Sequence, residues 1–127
     1  MSAQTPEEIY ELFSKFLNAG DLDSLVSLYE PGATFVPQPG VVLSGQAAIR
    51  EAIAGFLALK GQIDLQAPTV FRADNIALLL AKWTLKGTAP GGGPIELAGQ
   101  TSDVVRRQPD YSWLFVIDNP NGAASAV

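Results

Sequence analysis

The chain has 127 residues, of which 47% are hydrophobic and 17% charged, a composition typical of one folded domain. The 13 acidic residues outnumber the 8 basic ones, and the net charge of −5 excludes the basic surface that nucleic acids and anionic membranes require. The sequence has no cysteine and no histidine, which excludes disulfides, thiolate and imidazole catalysis and Cys- or His-ligated metal sites.

The first predicted element is an amphipathic helix. Thr5-Pro6-Glu7-Glu8 has the residue order of a capping box with proline at the first helical position, and Gly20 supplies a residue that ends helices. Between them, apolar residues recur at helical spacing: Ile9, Leu12, Phe13, Phe16 and Leu17. Tyr10 lies one position outside this stripe, so we expect its side chain at the solvent edge of the helix.

Two more helices are predicted in the first half of the chain. Asp21 is expected to cap a short second helix, whose last inward residue is Tyr29 and which ends at Pro31-Gly32. A short strand and an irregular, proline-rich stretch follow. Ser44 is then expected to cap a third helix that closes at Gly61.

The second half has the periodicity of β-strands. Strict alternation of apolar and polar residues marks residues 62–67 as a half-buried strand, and Asp74-Asn75 has the composition of a hairpin turn. Longer strands follow on both sides of a glycine-rich loop, over residues 76–88, 95–107 and 112–118. The small, polar residues 119–127 are expected to fray.

Helices followed by a run of strands indicate an α+β fold in which the helices cover one face of a curved sheet. We expect one domain over residues 1–127, with an ordered core of about residues 6–119 and short flexible termini. The start of the chain lacks the pattern of a signal peptide, and the longest apolar run, residues 76–81, is too short to cross a bilayer. We therefore expect a cytoplasmic protein with no membrane or nucleic-acid partner.

Two strands, 76–88 and 112–118, are apolar on both faces. In the last strand, strict alternation predicts that Trp113, Phe115 and Ile117 share one face. The helices can cover only one face of the sheet, so we expect a homodimer that packs sheet against sheet to cover the other. The alternative is a sheet so strongly curled that it shields itself.

Several short motifs, in this order, resemble the ketosteroid isomerase branch of the nuclear transport factor 2-like superfamily. They are Phe-Leu-Asn-Ala-Gly-Asp-Leu-Asp at 16–23, Ala-Thr-Phe-Val at 33–36 and Gly-Gln-Ala-Ala-Ile-Arg-Glu at 45–51. The closing Trp113 and Ile117-Asp118-Asn119-Pro120 are similar to uncharacterised proteins of the polyketide-cyclase (SnoaL-like) group. The resemblance implies a cone-shaped, cystatin-like α+β barrel: N-terminal helices packed on a strongly curved, mainly antiparallel sheet, an apolar cavity open at one end, and a dimer.

The resemblance also locates the three catalytic groups of the isomerase on this chain. Its oxyanion-hole tyrosine falls on Phe13, which has no hydroxyl, and its proton-shuttling aspartate falls on Pro37, which cannot accept a proton. The second oxyanion-hole group, a carboxylic acid, falls on Asp103 and is retained. We therefore predict that the protein does not isomerise ketosteroids by that route.

Asp103 is the candidate catalytic group, as an acid or hydrogen-bond donor, and the main polar anchor for a ligand. It stands in mid-strand and shares its face with Thr101. If that face lines the cavity, loss of water raises the pKa of Asp103 above the ~3.9 of a free aspartate. The alternative is an exposed carboxylate paired with Arg106, Arg107 or Lys82.

Four other residues are candidate ligand contacts. Asp118 and Asn119 form either a polar cluster at the cavity or a strand terminator before Pro120. Trp83 is predicted to be core or cavity wall, and Tyr29 either sends its hydroxyl into the cavity or packs in the core.

These observations predict a binding protein for an unknown small apolar molecule, with weak acid–base chemistry of the isomerase or cyclase type. The alternative is a non-catalytic dimerisation or ligand-storage module whose own side chains fill the cavity; bulky candidates for this are Phe13, Phe35, Phe56, Phe71 and Trp83. No cofactor is expected: the glycines at 91–93 lack the Lys-Ser/Thr ending of a phosphate-binding loop, and without His or Cys a metal would have only scattered carboxylates.

Overall fold

The computed structural model describes residues 2–126. The helices are α1 (Glu8–Ala19), α2 (Leu22–Val26) and α3 (Gln46–Leu57). The strands are β1 (Tyr29–Gln38), β2 (Val41–Ser44), β3 (Gln62–Leu65), β4 (Thr69–Ala73), β5 (Ile76–Thr88), β6 (Pro94–Arg107) and β7 (Trp113–Asn119). A 3-10 turn over Gly122–Ser125 follows the last strand.

The strands form one sheet in the order β2-β1-β7-β6-β5-β3, with β4 also paired to β5. All pairs are antiparallel except β1 with β7. The helices pack on this curved sheet, and the core lies between them, which confirms the predicted α+β fold class. None of the helices within residues 2–126 combines the length and the hydropathy that a membrane span needs.

The helix α1 ends where the sequence predicts but begins at Glu8, with Glu7 instead of Thr5 at the N-cap position. Thr5 Oγ1 accepts a hydrogen bond from the Glu8 N–H at 3.3 Å, and the Glu8 carboxylate in turn accepts from the Gln4 N–H at 3.1 Å. Gly20 ends the helix with φ at 70°, a left-handed conformation that glycine adopts without strain. Asp21 caps α2 by accepting from the Ser24 N–H at 3.2 Å.

Three further helix boundaries differ from the prediction. Tyr29 begins β1 instead of ending α2, and Pro31-Gly32 lie inside that strand. The pairing of β1 with β7 is irregular between Tyr29 and Thr34, so the missing N–H of the proline is tolerated there. Ser44 pairs with Thr34 in β2, so Gly45 takes the N-cap position of α3 without a side-chain cap. That helix ends at Leu57, before Gly61.

A β-bulge in β7 reverses which residues face the core. Val104 pairs with Ile117 and Val105 with Phe115, so Val116 is an extra residue in the ladder. Side chains alternate along a strand, and one extra residue inverts the alternation beyond it. Phe115 is therefore buried, Ile117 is 39% exposed, and Asp118 is only 6% exposed. The prediction that Ile117 shares a face with Trp113 and Phe115 is wrong for this reason.

The end of the chain, as far as residue 126, folds back onto the sheet, whereas the sequence predicts that it frays. Val127 lies outside the described residues. The Trp83 Nε1–H donates to the Pro120 carbonyl at 2.8 Å, and the Asn121 side-chain amide donates to the Pro37 carbonyl at 3.3 Å. These contacts require the chain end to approach β6 closely at Gly99, which has no side chain. A Cβ at this position would lie 2.9 Å from the Pro120 carbonyl oxygen.

Candidate functional site

A cavity of about 220 Å³ lies between the helices and the inner face of the sheet. Most of its wall is apolar and rich in aromatic rings, contributed by Phe13, Phe35, Phe56, Trp83 and Phe115, with aliphatic side chains between them. The polar side chains of the wall are Tyr10, Tyr29, Thr101, Asp103, Asp118 and Asn121. Two carboxyl groups therefore face a cavity whose wall is otherwise mostly apolar.

Asp103 and Asp118 are direct cross-strand partners on β6 and β7. Asp103 faces inward because it alternates in phase with buried Thr101 and Val105, whereas Asp118 faces inward because of the bulge at Val116. Side chains of opposed residues in antiparallel strands lie about 5 Å apart at Cβ, so the two carboxyl groups interact directly. Neither is exposed to bulk water: Asp103 is 2% and Asp118 6% exposed.

Asp103 is the acceptor at the centre of a hydrogen-bond cluster. Tyr10 donates its hydroxyl to one carboxylate oxygen, and the Asn119 backbone N–H donates to the other at 2.9 Å. The Thr101 hydroxyl lies 2.7 Å from both oxygens. Burial raises the pKa of Asp103, while hydrogen bonds from Asp118, Tyr10, Thr101 and the Asn119 N–H act in the opposite direction.

Asp118 is a buried carboxyl group that lies beside a second one. Tyr29 donates its hydroxyl to one Asp118 oxygen. Burial raises the pKa of Asp118 well above its ordinary value, and the charge of the neighbouring Asp103 raises it further. The raised pKa values of both groups favour a protonated carboxyl group at this place. Asp118 therefore joins Asp103 as a candidate for the acid role.

The basic residues offered as alternative partners of Asp103 lie elsewhere. Arg106 pairs with Glu30 at 2.9 Å, Arg107 donates to the Asn75 side chain at 2.7 Å, and Lys82 is exposed. No lysine or arginine lines the cavity among residues 2–126. The two carboxyl groups therefore depend on hydroxyl and amide donors instead of on a cation. No cluster of three or more acidic residues that could hold a metal ion occurs within residues 2–126.

Tyr10 contradicts its predicted place at the solvent edge: it is 4% exposed and bonded to Asp103. Because the sheet curls around α1, the buried face of the helix is wider than the apolar stripe. Tyr10, Phe13 and Leu17, at helical spacing, all line the cavity. Tyr10 lies one helical turn before Phe13 on the same side of α1, and from there its hydroxyl reaches Asp103. The three-residue spacing between Tyr10 and Phe13 is the sequence signal that could have identified Tyr10 as a cavity residue.

The other predicted contacts divide into two groups. Tyr29, Trp83 and Asp118 line the cavity, as does Pro37. Asn119 is not part of the wall: its side-chain amide donates to the Gly122 carbonyl at 3.2 Å, and its oxygen accepts from the Ser125 hydroxyl at 2.8 Å. Its backbone serves the site: the N–H donates to Asp103, and the carbonyl oxygen lies 3.2 Å from the Thr101 hydroxyl.

Comparison with known protein families gives one match, to the SnoaL-like domain, over residues 9–110. The chain belongs to the SnoaL-like domain family. The match ends before β7, so this SnoaL-like domain carries Asp103 within the matched segment and Asp118 beyond it. No protein with a curated description matches the chain in sequence.

Solved structures of the nuclear transport factor 2-like (NTF2-like) superfamily share the fold. A superfamily protein from Salmonella enterica has a TM-score of 0.79 at 18% identity, covering 92% of this chain and 89% of its own. An NTF2-like protein from Streptomyces avermitilis, provisionally assigned as a dehydratase, has a TM-score of 0.74 at 22% identity, with coverages of 87% and 88%.

A third structure is an NTF2-like protein with a cystatin-like fold from Novosphingobium aromaticivorans. It has a TM-score of 0.74 at 19% identity and covers 94% of this chain and 82% of its own. At these identities the likeness establishes the superfamily fold and leaves the activity of this chain open.

Proposed function

We propose that this SnoaL-like domain binds a small, mostly apolar molecule in its cavity. The observation that carries the proposal is an apolar wall interrupted at one place by the buried pair Asp103 and Asp118. Ligand sites in proteins typically combine a hydrophobic wall with a few convergent polar groups. A cavity of about 150 Å³ accommodates benzene, so 220 Å³ corresponds to a molecule built on a single ring.

Acid–base chemistry is the activity that this pair supports. We place the proton of the pair on Asp118, because the charge of Asp103 adds to burial in raising the pKa of Asp118, whereas Asp103 accepts from Tyr10 and from the Asn119 N–H. Proton transfer to or from a bound molecule would then use Asp118 as the exchanging group, with Asp103 and Tyr29 positioning it.

Isomerisation of ketosteroids by the route of the related isomerases is not part of the proposal. Phe13 and Pro37 occupy the two positions where those enzymes carry their tyrosine and their base. The 220 Å³ cavity is also below the ~300–1,000 Å³ typical of pockets for larger ligands. We expect no turnover of a 5-ene-3-ketosteroid, and substantial turnover in a direct assay would contradict this assignment.

The competing function, a storage or dimerisation module with a side-chain-filled interior, has less support. Phe13, Phe35, Phe56 and Trp83 line the cavity without occupying all of it, and Phe71 lies on the exposed side of β4. The remaining volume supports ligand binding.

Native mass spectrometry of the purified protein tests the proposal. We expect a small molecule to co-purify, or to be taken up from a mixture of single-ring compounds, with reduced retention in Asp103→Asn. Asp64→Asn is the matched control, because Asp64 is exposed on β3 between the cavity-lining residues Ile63 and Leu65. Retention unchanged by Asp103→Asn would remove Asp103 as an anchor, and the absence of any bound molecule would remove the proposed function.

A further inference from the structure

The hydrogen-bond donors at the polar end of the cavity are already used. The Tyr10 hydroxyl donates to Asp103 and the Tyr29 hydroxyl to Asp118. Thr101 has one hydroxyl hydrogen, and its acceptors within hydrogen-bond distance are the Asp103 carboxylate at 2.7 Å and the Asn119 carbonyl at 3.2 Å. Each of these groups has thus committed its hydrogen to another member of the cluster.

The same holds for donors further along the wall. The Trp83 indole N–H is bonded to the Pro120 carbonyl, and Asn121 gives one amide hydrogen to the Pro37 carbonyl. The second amide hydrogen of Asn121 is the exception among the polar side chains of the described wall. What the polar end offers to a ligand is therefore mainly acceptor lone pairs, on the hydroxyl oxygens of Tyr10 and Tyr29 and on the Asp118 carboxyl group.

The acceptor lone pairs at the polar end of the cavity favour a ligand whose polar group donates hydrogen bonds. A carbonyl compound, which can only accept, would have to use the remaining Asn121 amide hydrogen, compete with Asp103 for a carboxyl proton, or break a tyrosine–aspartate bond. A ligand that donates hydrogen bonds needs no such rearrangement. Leaving a buried acceptor without a donor costs stability, so the preference extends to the bound complex.

The acidic groups of the cavity further restrict the class of ligand. Asp103 and Asp118 are both buried in this wall, and no lysine or arginine in the described wall pairs with them. A cationic ligand would supply the missing counter-charge in a space with little water, where the attraction is strong. The rings of Phe13, Phe35, Phe56, Trp83 and Phe115 surround the same space, and aromatic rings favour organic cations.

We propose that the ligand is a lipophilic primary amine on a single ring, bound as its ammonium ion. The ammonium group donates to the Asp118 carboxyl and to the hydroxyl oxygens of Tyr10 and Tyr29, while the ring lies among the aromatic side chains. No covalent step is involved. This inference rests on the proposed binding function and specifies its ligand class.

Calorimetric titration with three ring-matched probes tests the ligand class on the unmodified protein at pH 7. Benzylamine is a cationic donor, benzyl alcohol a neutral donor, and acetophenone can only accept. We expect benzylamine to bind about tenfold or more tightly than acetophenone, with benzyl alcohol between them. Equal or tighter binding of acetophenone would overturn the amine proposal and leave the cavity function standing. If none of the three bound at millimolar concentration, both proposals would fail.

Replacement of the carboxyl groups separates the charge from the shape of the site. The double variant Asp103→Asn/Asp118→Asn removes both carboxyl groups from the wall, so the preference for benzylamine over benzyl alcohol should disappear. Asp118→Asn keeps Asp103, so the preference should persist. A preference that survived in the double variant would contradict the proposal, and circular dichroism at the titration temperature establishes that each variant is folded. The comparison of probes on the unmodified protein remains decisive if a variant fails to fold.

Discussion

Asp103 and Asp118 lie directly opposite each other on β6 and β7, and each receives the hydroxyl of a different tyrosine. Their environments differ, although the residue type is the same. Asp103 has donors on both oxygens, whereas Asp118 has Tyr29 on one oxygen and the charge of Asp103 beside it. The two carboxyl groups are therefore expected to respond differently to the same substitution.

Replacement by asparagine should separate the two roles. Asp118→Asn imitates the protonated carboxyl group, because its amide donates to Asp103 and its oxygen still accepts from Tyr29, so we expect a change in unfolding free energy of less than about 1 kcal/mol. Asp103→Asn places an amide against Tyr10, Thr101 and the Asn119 N–H and should cost about 2 kcal/mol or more. Urea denaturation of both variants at pH 6 measures the difference. Equal losses would contradict the assignment of the proton to Asp118.

The stability of the protein should depend on pH through Asp118. Its pKa in the folded state is raised by burial and by Asp103, so the folded protein binds this proton more tightly than the unfolded chain does. The stabilisation is complete below the unfolded pKa of ~3.9 and is lost as the pH rises through the folded value. Unfolding free energies measured from pH 4 to 9 should therefore fall more steeply for the native sequence than for Asp118→Asn. Parallel curves would show that Asp118 does not titrate this way.

The Tyr10 hydroxyl should contribute measurably to stability. Tyr10→Phe removes the hydroxyl donor from the buried carboxylate of Asp103 and keeps the ring, so we expect a loss of about 1–3 kcal/mol in thermal or chemical unfolding. Tyr111→Phe is the matched control, because Tyr111 is exposed, and its change should stay within about 0.5 kcal/mol. A Tyr10 variant as stable as the control would show that the hydroxyl is not bonded in solution.

A methyl group at position 99 should displace the end of the chain from the cavity wall. A Cβ on Gly99 would lie 2.9 Å from the Pro120 carbonyl oxygen and 3.0 Å from the Trp83 ring. We expect Gly99→Ala to cost about 1–3 kcal/mol and to change the fluorescence of Trp83. Gly91→Ala is the control, since a Cβ there meets nothing within 4 Å. An unchanged Trp83 spectrum in Gly99→Ala would rule out this contact.

The outer face of the sheet predicts a homodimer. Phe71, Leu78, Val104 and Ile117 are successive cross-strand partners on β4, β5, β6 and β7, and all but Val104 are exposed large hydrophobics. A second copy covering this row would remove apolar surface from water. We expect sedimentation at micromolar concentration to give a dimer that Leu78→Lys dissociates, whereas Tyr111→Ser, at the exposed β6–β7 turn, leaves it intact. A strict monomer would eliminate the prediction.

Local sequence signals are sufficient for much of the fold. Gly20, Asp21 and the Asp74-Asn75 turn act where the sequence places them, because capping and turn formation involve only residues within a few positions of one another. The alternation of β5 and β6 and the burial of Asp103 in phase with Thr101 follow from the same short-range periodicity. The absence of His and Cys, likewise a property of the sequence alone, restricts any chemistry to carboxyl and hydroxyl groups.

The composition of the site depends on contacts between distant parts of the chain. Asp118 faces the cavity because Val116 has no partner in the pairing of β7 with β6. Alternation within β7 alone predicts that Asp118 lies on the opposite face. Tyr10 is inside because strands more than 80 residues away curl around its helix and bring Asp103 to its hydroxyl. Pairing register and sheet curvature are properties of the assembled sheet, so the sequence by itself determined which elements form and which chemistry is available. Only the tertiary structure decided which two carboxyl groups and which two tyrosines meet.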